Sequence, residues 1–197
     1  LGRIHSICVG AHFAFGHGRE GNLELLQQLG QDMKFIVHGL SNLSLDGETV
    51  SSTRIRAAIA EGQLDAAGQM LGREYALAGE VVKGDQRGSE LGFPTANLDV
   101  TDLCTPPKGV YAAHAEVNGA THRAAVNIGL RPTVAEAEPT LHVEAHLLDF
   151  EGDLYGEVLT LTFVGKLRDE KPFDSLDALK AQIEKDIVQA RYLFTQL

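Results

Sequence analysis

From Tyr75 onward the apolar residues recur at every second position, and few folds accept that pattern in run after run. The runs are Ala76–Val82, Val110–Val117, His122–Ile128, Leu141–Leu148 and Val158–Val164. Alternation puts one face of an extended run on a core and the other toward water. Asn118-Gly119, Arg131-Pro132 and Glu151-Gly152-Asp153 supply turn chemistry between them. Short strands with glycine punctuation predict a small antiparallel barrel or sandwich, a mainly β fold. The period then changes again. Leu176, Leu179, Ile183, Ile187, Ala190 and Leu193 trace the apolar stripe of a helix over about Ser175 to Phe194.

The first 70 residues read differently, as mixed α/β. Ile4–Val9 is a strand-like run, and Phe35-Ile36-Val37 is a buried-strand candidate. Leu23, Leu25, Leu26 and Leu29 suit a helix after Gly21. Ser51 and Ser52 are good caps ahead of Arg54–Ile59, and a second helix is expected over Leu64–Leu71. The expected division is therefore 1–70 and 71–197.

Composition narrows the function. A hydrophobic content of 44% supports a proper core, and a formal net charge of -10 argues against a nucleic-acid partner, which needs clustered Lys and Arg. Cys8 and Cys104 make neither a disulfide framework nor a zinc spacing, so a reduced cytoplasmic setting is expected. No apolar run reaches membrane-span length, and no charged-then-apolar leader is present, so no membrane association is expected. Opening on Leu1 rather than Met, the sequence is expected to be a fragment or a processed product.

The richest stretch for chemistry is Gly79 to Asn97, GEVVKGDQRGSELGFPTAN. Glycines let backbone amides approach an anion, successive amides form concave anion sites, and Lys83 adds a point charge. Thr95 and Asn97 offer two neutral oxygens two residues apart, a donor set suited to a hard cation shared with phosphates. The competing reading is a plain glycine-rich hairpin ending in a Pro-Thr turn. A second constellation is His142, Glu144 and His146, which share one strand face. It reads as a solvated polar face, as a transition-metal site, or as a carboxylate base with bystander histidines. A third is Leu167 to Phe173, LRDEKPF, which alone reads as a charged loop leading into the last helix, with Asp174 or Ser175 as its cap. Gly16 to Gly21 is a literal GxGxxG but a weak dinucleotide fingerprint, because Phe13-Ala14-Phe15 intervene and no acidic residue clearly ends a second strand.

Taken in order, these motifs resemble the riboflavin kinase family, specifically the kinase half of bacterial bifunctional riboflavin kinase/FAD synthetases. The Gly79–Asn97 loop is followed by Gly109-Val110-Tyr111-Ala112, Asn127-Ile128-Gly129, Arg131-Pro132-Thr133, Glu144 to Asp149, Tyr155-Gly156, and Leu167-Arg168 with Lys171-Pro172-Phe173. The resemblance implies a small Greek-key type antiparallel barrel with a C-terminal helix, transferring the ATP γ-phosphate to the riboflavin 5'-hydroxyl to give FMN and ADP. It implies Glu144 as the catalytic base, Thr95 and Asn97 as Mg²⁺ ligands, and Lys83, Gly84, Gly88, Gly92 and Pro94 in the ATP loop. It further implies a flap of Arg168, Glu170 and Phe173 over the flavin.

Val9 to Gly16 and Ser51 to Arg56 resemble segments of the flavin-adenylylating domain, with His12 where that segment usually has Asp. The opening strand and HxGH-type phosphate site of that domain do not precede Leu1, so 1–70 is expected to be an incomplete nucleotidyltransferase segment. Two alternatives stand beside the kinase reading. One is a fragment of a bifunctional riboflavin kinase/FMN adenylyltransferase, the other a non-catalytic flavin- or nucleotide-binding module. Small molecules are the expected partners, with self-association through the N-terminal segment as the one macromolecular contact.

Overall fold

The structure is a computed structural model and describes residues 4–84, 87–131 and 140–196. Two compact units divide the chain, Leu1–Ser51 and Ser52–Leu197. In the first, β1 (Ser6–Gly10) runs parallel to β2 (Ile36–Leu40), with α1 (Leu23–Met33) in the connection between them. Parallel neighbours cannot be joined by a tight turn, so a crossover of this kind is required. Asn22 starts the helix by accepting the Leu25 amide at 2.9 Å. β3 (Ser44–Leu45) and β4 (Glu48–Thr49) form a hairpin whose Asp46 and Gly47 both take the positive φ that a two-residue hairpin turn demands. The expected burial of the second strand is not met. Ile36 is 52% exposed in a sheet that has two strands among the described residues. Within the GxGxxG stretch Gly21 lies against the Phe15 ring, where a side chain would collide with it, so this glycine serves local packing.

The second unit opens with α2 (Ser52–Ala60) and α3 (Leu64–Leu71). The sequence groups these helices with the N-terminal half. Here Cys104 Sγ lies 3.6 Å from the Arg56 carbonyl, and Gly62 faces the Pro107 ring. The barrel strands follow as β5 (Ala76–Val82), β6 (Ala96–Leu98), β7 (Gly109–Val117), β8 (Ala120–Arg131), β9 (Thr140–Leu147) and β10 (Val158–Arg168). They close antiparallel in the order β10-β5-β6-β9-β8-β7. β7, β8 and β9 form a meander and β10 returns beside β7, which is the Greek-key order. Asn118 and Gly119, both at positive φ, make the expected β7–β8 turn. Pro132 and Thr133 of the Arg131-Pro132-Thr133 run lie outside the described residues, as do Asp85 and Gln86 of the loop after β5.

The barrel interior is filled by Leu77, Val81, Leu98, Tyr111, Val126, Ile128, Val143, Leu159 and Leu161, together with Ala113, Ala115 and Ala124. α4 (Arg87–Glu90) is a single helical turn between β5 and β6, where the sequence suggests a hairpin. After β10, Ser175 caps α5 (Leu176–Leu193) by accepting the Ala178 amide at 3.1 Å. α5 lies on the outside of the barrel, where Ala190 meets a patch containing Ala112, Leu148 and Phe194. Leu176, expected on the apolar stripe, is instead 69% exposed at the helix start.

Candidate active site

Strand register gathers residues that the sequence keeps far apart. Val82 pairs with Asn97, Asn97 with Glu144, Glu144 with Asn127, Asn127 with Val110, and Val110 with Arg168. Directly opposed residues share a face. Their chain neighbours Ala96, Leu98, Val143, Ala145, Val126 and Ile128 fill the barrel interior, so this row stands on the outer face. Glu144 is thus held between Asn97 and Asn127 by two ladders at once.

The glycine loop lies directly against this row. A Cβ on Gly84 would overlap the Asn97 side-chain amide, and one on Gly88 would meet the Phe93 carbonyl at 2.5 Å and Thr95 Oγ1 at 3.2 Å. Glycine is what allows the loop to cover both oxygen-bearing side chains. Asn97 is only 9% exposed, and its Oδ1 has no hydrogen-bond donor among the described residues. A buried acceptor left without a donor is costly unless something else satisfies it. The loop is not a free nest of amides. The Gly92 amide donates to the Ser89 carbonyl at 3.0 Å and the Phe93 amide to the Gly88 carbonyl at 2.8 Å, while Gly92 itself takes positive φ.

Thr95 lines two cavities. The first, about 320 Å³, has Glu144, Asn127, Glu170, Lys171 and Phe173 in its wall, with Gly88 and Arg168. Thr95, His146 and Asp186 also line it, and Leu91, Phe93, Val110, Leu179 and Ile183 are among its apolar residues. The second, about 350 Å³, is lined by Ser89, Pro94, Asn97 and Tyr155. Lys83, Gly84 and Gly92 line neither cavity, and Lys83 is exposed.

The flank of the first cavity is built on charge. Asp186 of α5 is 4% exposed and receives Arg168 Nε at 2.9 and 3.0 Å and Nη2 at 2.8 Å. Gln182 Nε2 donates to the same carboxylate at 2.7 Å, and Lys171 Nζ donates to Gln182 Oε1 at 2.8 Å. Phe173 lies beneath both cations, 5.7 Å from the Arg168 guanidinium carbon and 5.4 Å from Lys171 Nζ. Glu170 reaches the barrel because Gly129 has no side chain there. No group of three His, Cys, Asp or Glu side chains among the described residues is arranged to hold a metal ion, so the transition-metal reading of His142, Glu144 and His146 gains no support. His146 is used otherwise. Its Nδ1 hydrogen-bonds the Pro94 carbonyl at 2.8 Å, and its ring meets Phe93 edge-on at 5.9 Å, which holds the loop's end to β9.

Residues 71–194 match the riboflavin kinase family model. The chain belongs to the riboflavin kinase family. Residues 2–54 match the FAD synthetase model. The bifunctional riboflavin kinase/FMN adenylyltransferase of Pseudomonas fluorescens is 43% identical over 190 residues, covering 96% of this chain and 61% of that protein. The protein of the same name from Escherichia coli (strain K12) is 42% identical over 195 residues, covering 98% of this chain and 61% of that protein. The chain thus spans about three-fifths of the length of these relatives. A solved Streptococcus pneumoniae structure described as a macrolide-efflux protein superposes with a TM-score of 0.71 at 32% identity, over 92% of this chain and 58% of that one. For this riboflavin kinase family member it supports the fold.

Several wall residues were not singled out in the sequence. In the sequence Asn127 stands out only as part of the Asn127-Ile128-Gly129 motif, and Lys171 only as part of the LRDEKPF run. Asp186 did leave a signal. It falls three residues after Ile183 and four before Ala190, a charged residue on the apolar stripe of α5.

Proposed function

We propose that this chain is an ATP-dependent riboflavin kinase. The riboflavin 5'-hydroxyl oxygen attacks the γ-phosphorus of ATP, the bond to the β-phosphate oxygen breaks, and FMN and ADP leave. Glu144 orients the hydroxyl and accepts its proton. The observation that carries this reading is the register that sets Glu144 directly beside Asn97, in the wall of a cavity that Thr95 shares with a second one. A two-substrate transfer needs two chambers meeting at the reacting groups. The mostly apolar first cavity suits the isoalloxazine ring against Phe173, with Glu170 and Arg168 at its edge. The second, beside Pro94 and Ser89, suits the nucleotide; Lys83, Gly84, Gly88 and Gly92 stand outside its lining and are assigned to the phosphates from the loop motif.

The residues fit a magnesium ion. The buried Asn97 Oδ1, without a donor among the described residues, and the neighbouring Thr95 hydroxyl are hard oxygen ligands, pressed under the loop by Gly84 and Gly88. Thr95 and Asn97 would hold it. When bound, the ion supplies charge neutralisation for the phosphate oxygens.

The kinase domain is assigned to 71–197 and the adenylyltransferase-like segment to 1–70, a division that the matches over 71–194 and 2–54 support. Among the described residues no helix is long and apolar enough to cross a membrane. A cytoplasmic location, with no nucleic-acid partner, is assigned from the free Cys8 and Cys104 and the net charge of -10. Self-association is assigned to the N-terminal segment.

Incubation of the chain with riboflavin and Mg·ATP, followed by chromatography, is expected to yield FMN and ADP. Flavin binding without FMN would leave a non-catalytic module. The FAD synthetase match favours a second reading, in which this kinase is part of a bifunctional protein; the full-length protein is then expected to carry FMN on to FAD.

A further inference from the structure

Asp186 stands out because Asn97 and Asp186 are the buried polar side chains among the described residues. Asn97 belongs to the site above, whereas Asp186 lies on a helix outside the barrel and is among none of the groups assigned to the reaction. A buried carboxylate is retained at a cost, and that cost is met here by a two-pronged guanidinium contact. The contact does more than neutralise a charge. Arg168 is the last residue of β10, and the chain beyond it forms the wall of the first cavity through Glu170, Lys171 and Phe173. Arg168 Nη1 also donates to the Asp169 carbonyl at 2.9 Å, so the guanidinium is tied both to α5 and to the start of this segment. Lys171 is tied to α5 separately, through Gln182, which is itself bonded to Asp186. The Phe173 ring lies under both cations.

We infer that Asp186, with Gln182, is a positioning residue for flavin binding. From α5 it fixes Arg168 and Lys171, and through them the place of the Phe173 ring; its own carboxylate, at the cavity wall but 4% exposed, is taken up by these bonds. Arg168, at the edge of the ring, then serves also as a strut. The inference rests on the first cavity being the riboflavin chamber. It makes the affinity for a planar, apolar ring depend on a carboxylate held in the helix, while the second cavity, whose lining includes neither Asp186 nor Gln182, stays independent of it.

The test uses the whole chain with Asp186→Asn, Asp186→Glu and Gln182→Leu. The riboflavin dissociation constant is measured by quenching of flavin fluorescence, and KM for riboflavin, KM for Mg·ATP and kcat by FMN formation. Asp186→Asn is expected to raise the riboflavin constant by about tenfold or more, the scale of one lost charge-assisted hydrogen bond. Gln182→Leu, which leaves the buried ion pair intact, is expected to raise it severalfold, and Asp186→Glu to recover part of the loss. KM for Mg·ATP should stay within about twofold, since no contact to that side is removed. Unchanged riboflavin affinity in Asp186→Asn overturns the inference, as does a parallel loss for both substrates that merely tracks a lower melting temperature. If Asp186→Asn fails to fold, Gln182→Leu decides by the same criterion. An unmodified chain that binds riboflavin but forms no FMN sinks the kinase reading and leaves the binding comparison in force. An unmodified chain that binds no riboflavin sinks both.

Discussion

At Gly84 a single added carbon would land on the Asn97 amide, so the site is sensitive to a change too small to disturb the barrel. Gly84→Ala is expected to keep the melting temperature nearly unchanged and to raise the Mg²⁺ concentration needed for half-maximal activity by about tenfold or more, because displacing a positioned group by ~1 Å costs up to ~10²-fold. A magnesium titration of FMN formation checks this, with riboflavin KM as the parameter that should not move. Tyrosines report on the barrel at the same scale. The Tyr111 phenol donates to the Pro107 carbonyl at 2.5 Å, and the Tyr75 phenol donates to the Cys104 carbonyl. Burial pushes both up to about 12, with Asp169 adding to the effect at Tyr111 and Cys104 at Tyr75. A raised value means that the fold favours the neutral phenol. The resulting stability is whole below the ordinary tyrosine value of about 10 and is lost as pH rises through about 12. An alkaline tyrosinate absorbance titration should therefore show a late step near pH 12 that shrinks in Tyr111→Phe.

At the level of elements, legibility followed pattern length. β5 matches its expected bounds of Ala76–Val82, and the other long strands differ only at their ends, because alternation repeated over seven or more residues leaves little choice. β6 was missed. Its three residues Ala96, Asn97 and Leu98 are all buried, so no exposed partner marks a period. α4 was missed because a glycine-rich stretch has poor helix propensity, and tertiary contacts of Gly88 with Phe93 and Thr95 set its conformation instead. α5 was legible as a helix, but its seating depends on small residues. Ala112 and Ala190 are both fully buried in the patch that joins helix to barrel. Ala190→Leu is expected to cost about 1–3 kcal/mol through overpacking. Thermal or urea unfolding would show it, and an unchanged transition would mean that α5 shifts freely on the barrel.

Over the whole molecule, what the sequence withheld was register. Motif order pointed to Thr95, Asn97 and Glu144 as partners, but nothing in the residues says that Asn97 faces Glu144 and Glu144 faces Asn127. That pairing arises only when the Greek-key closure brings β6 and β8 to either side of β9. The tie between Arg168 and Asp186 was hidden for the same reason, since β10 and α5 meet only in three dimensions. The account therefore rests on one carboxylate in one register. Its most direct test follows the γ-phosphate label of ATP into riboflavin, with the unmodified chain and Glu144→Gln side by side. The account predicts label in FMN from the unmodified chain and a rate lower by ~10²–10⁴-fold in Glu144→Gln, with ADP binding retained, as loss of a general base requires. Labelled FMN formed by Glu144→Gln at the unmodified rate would contradict it.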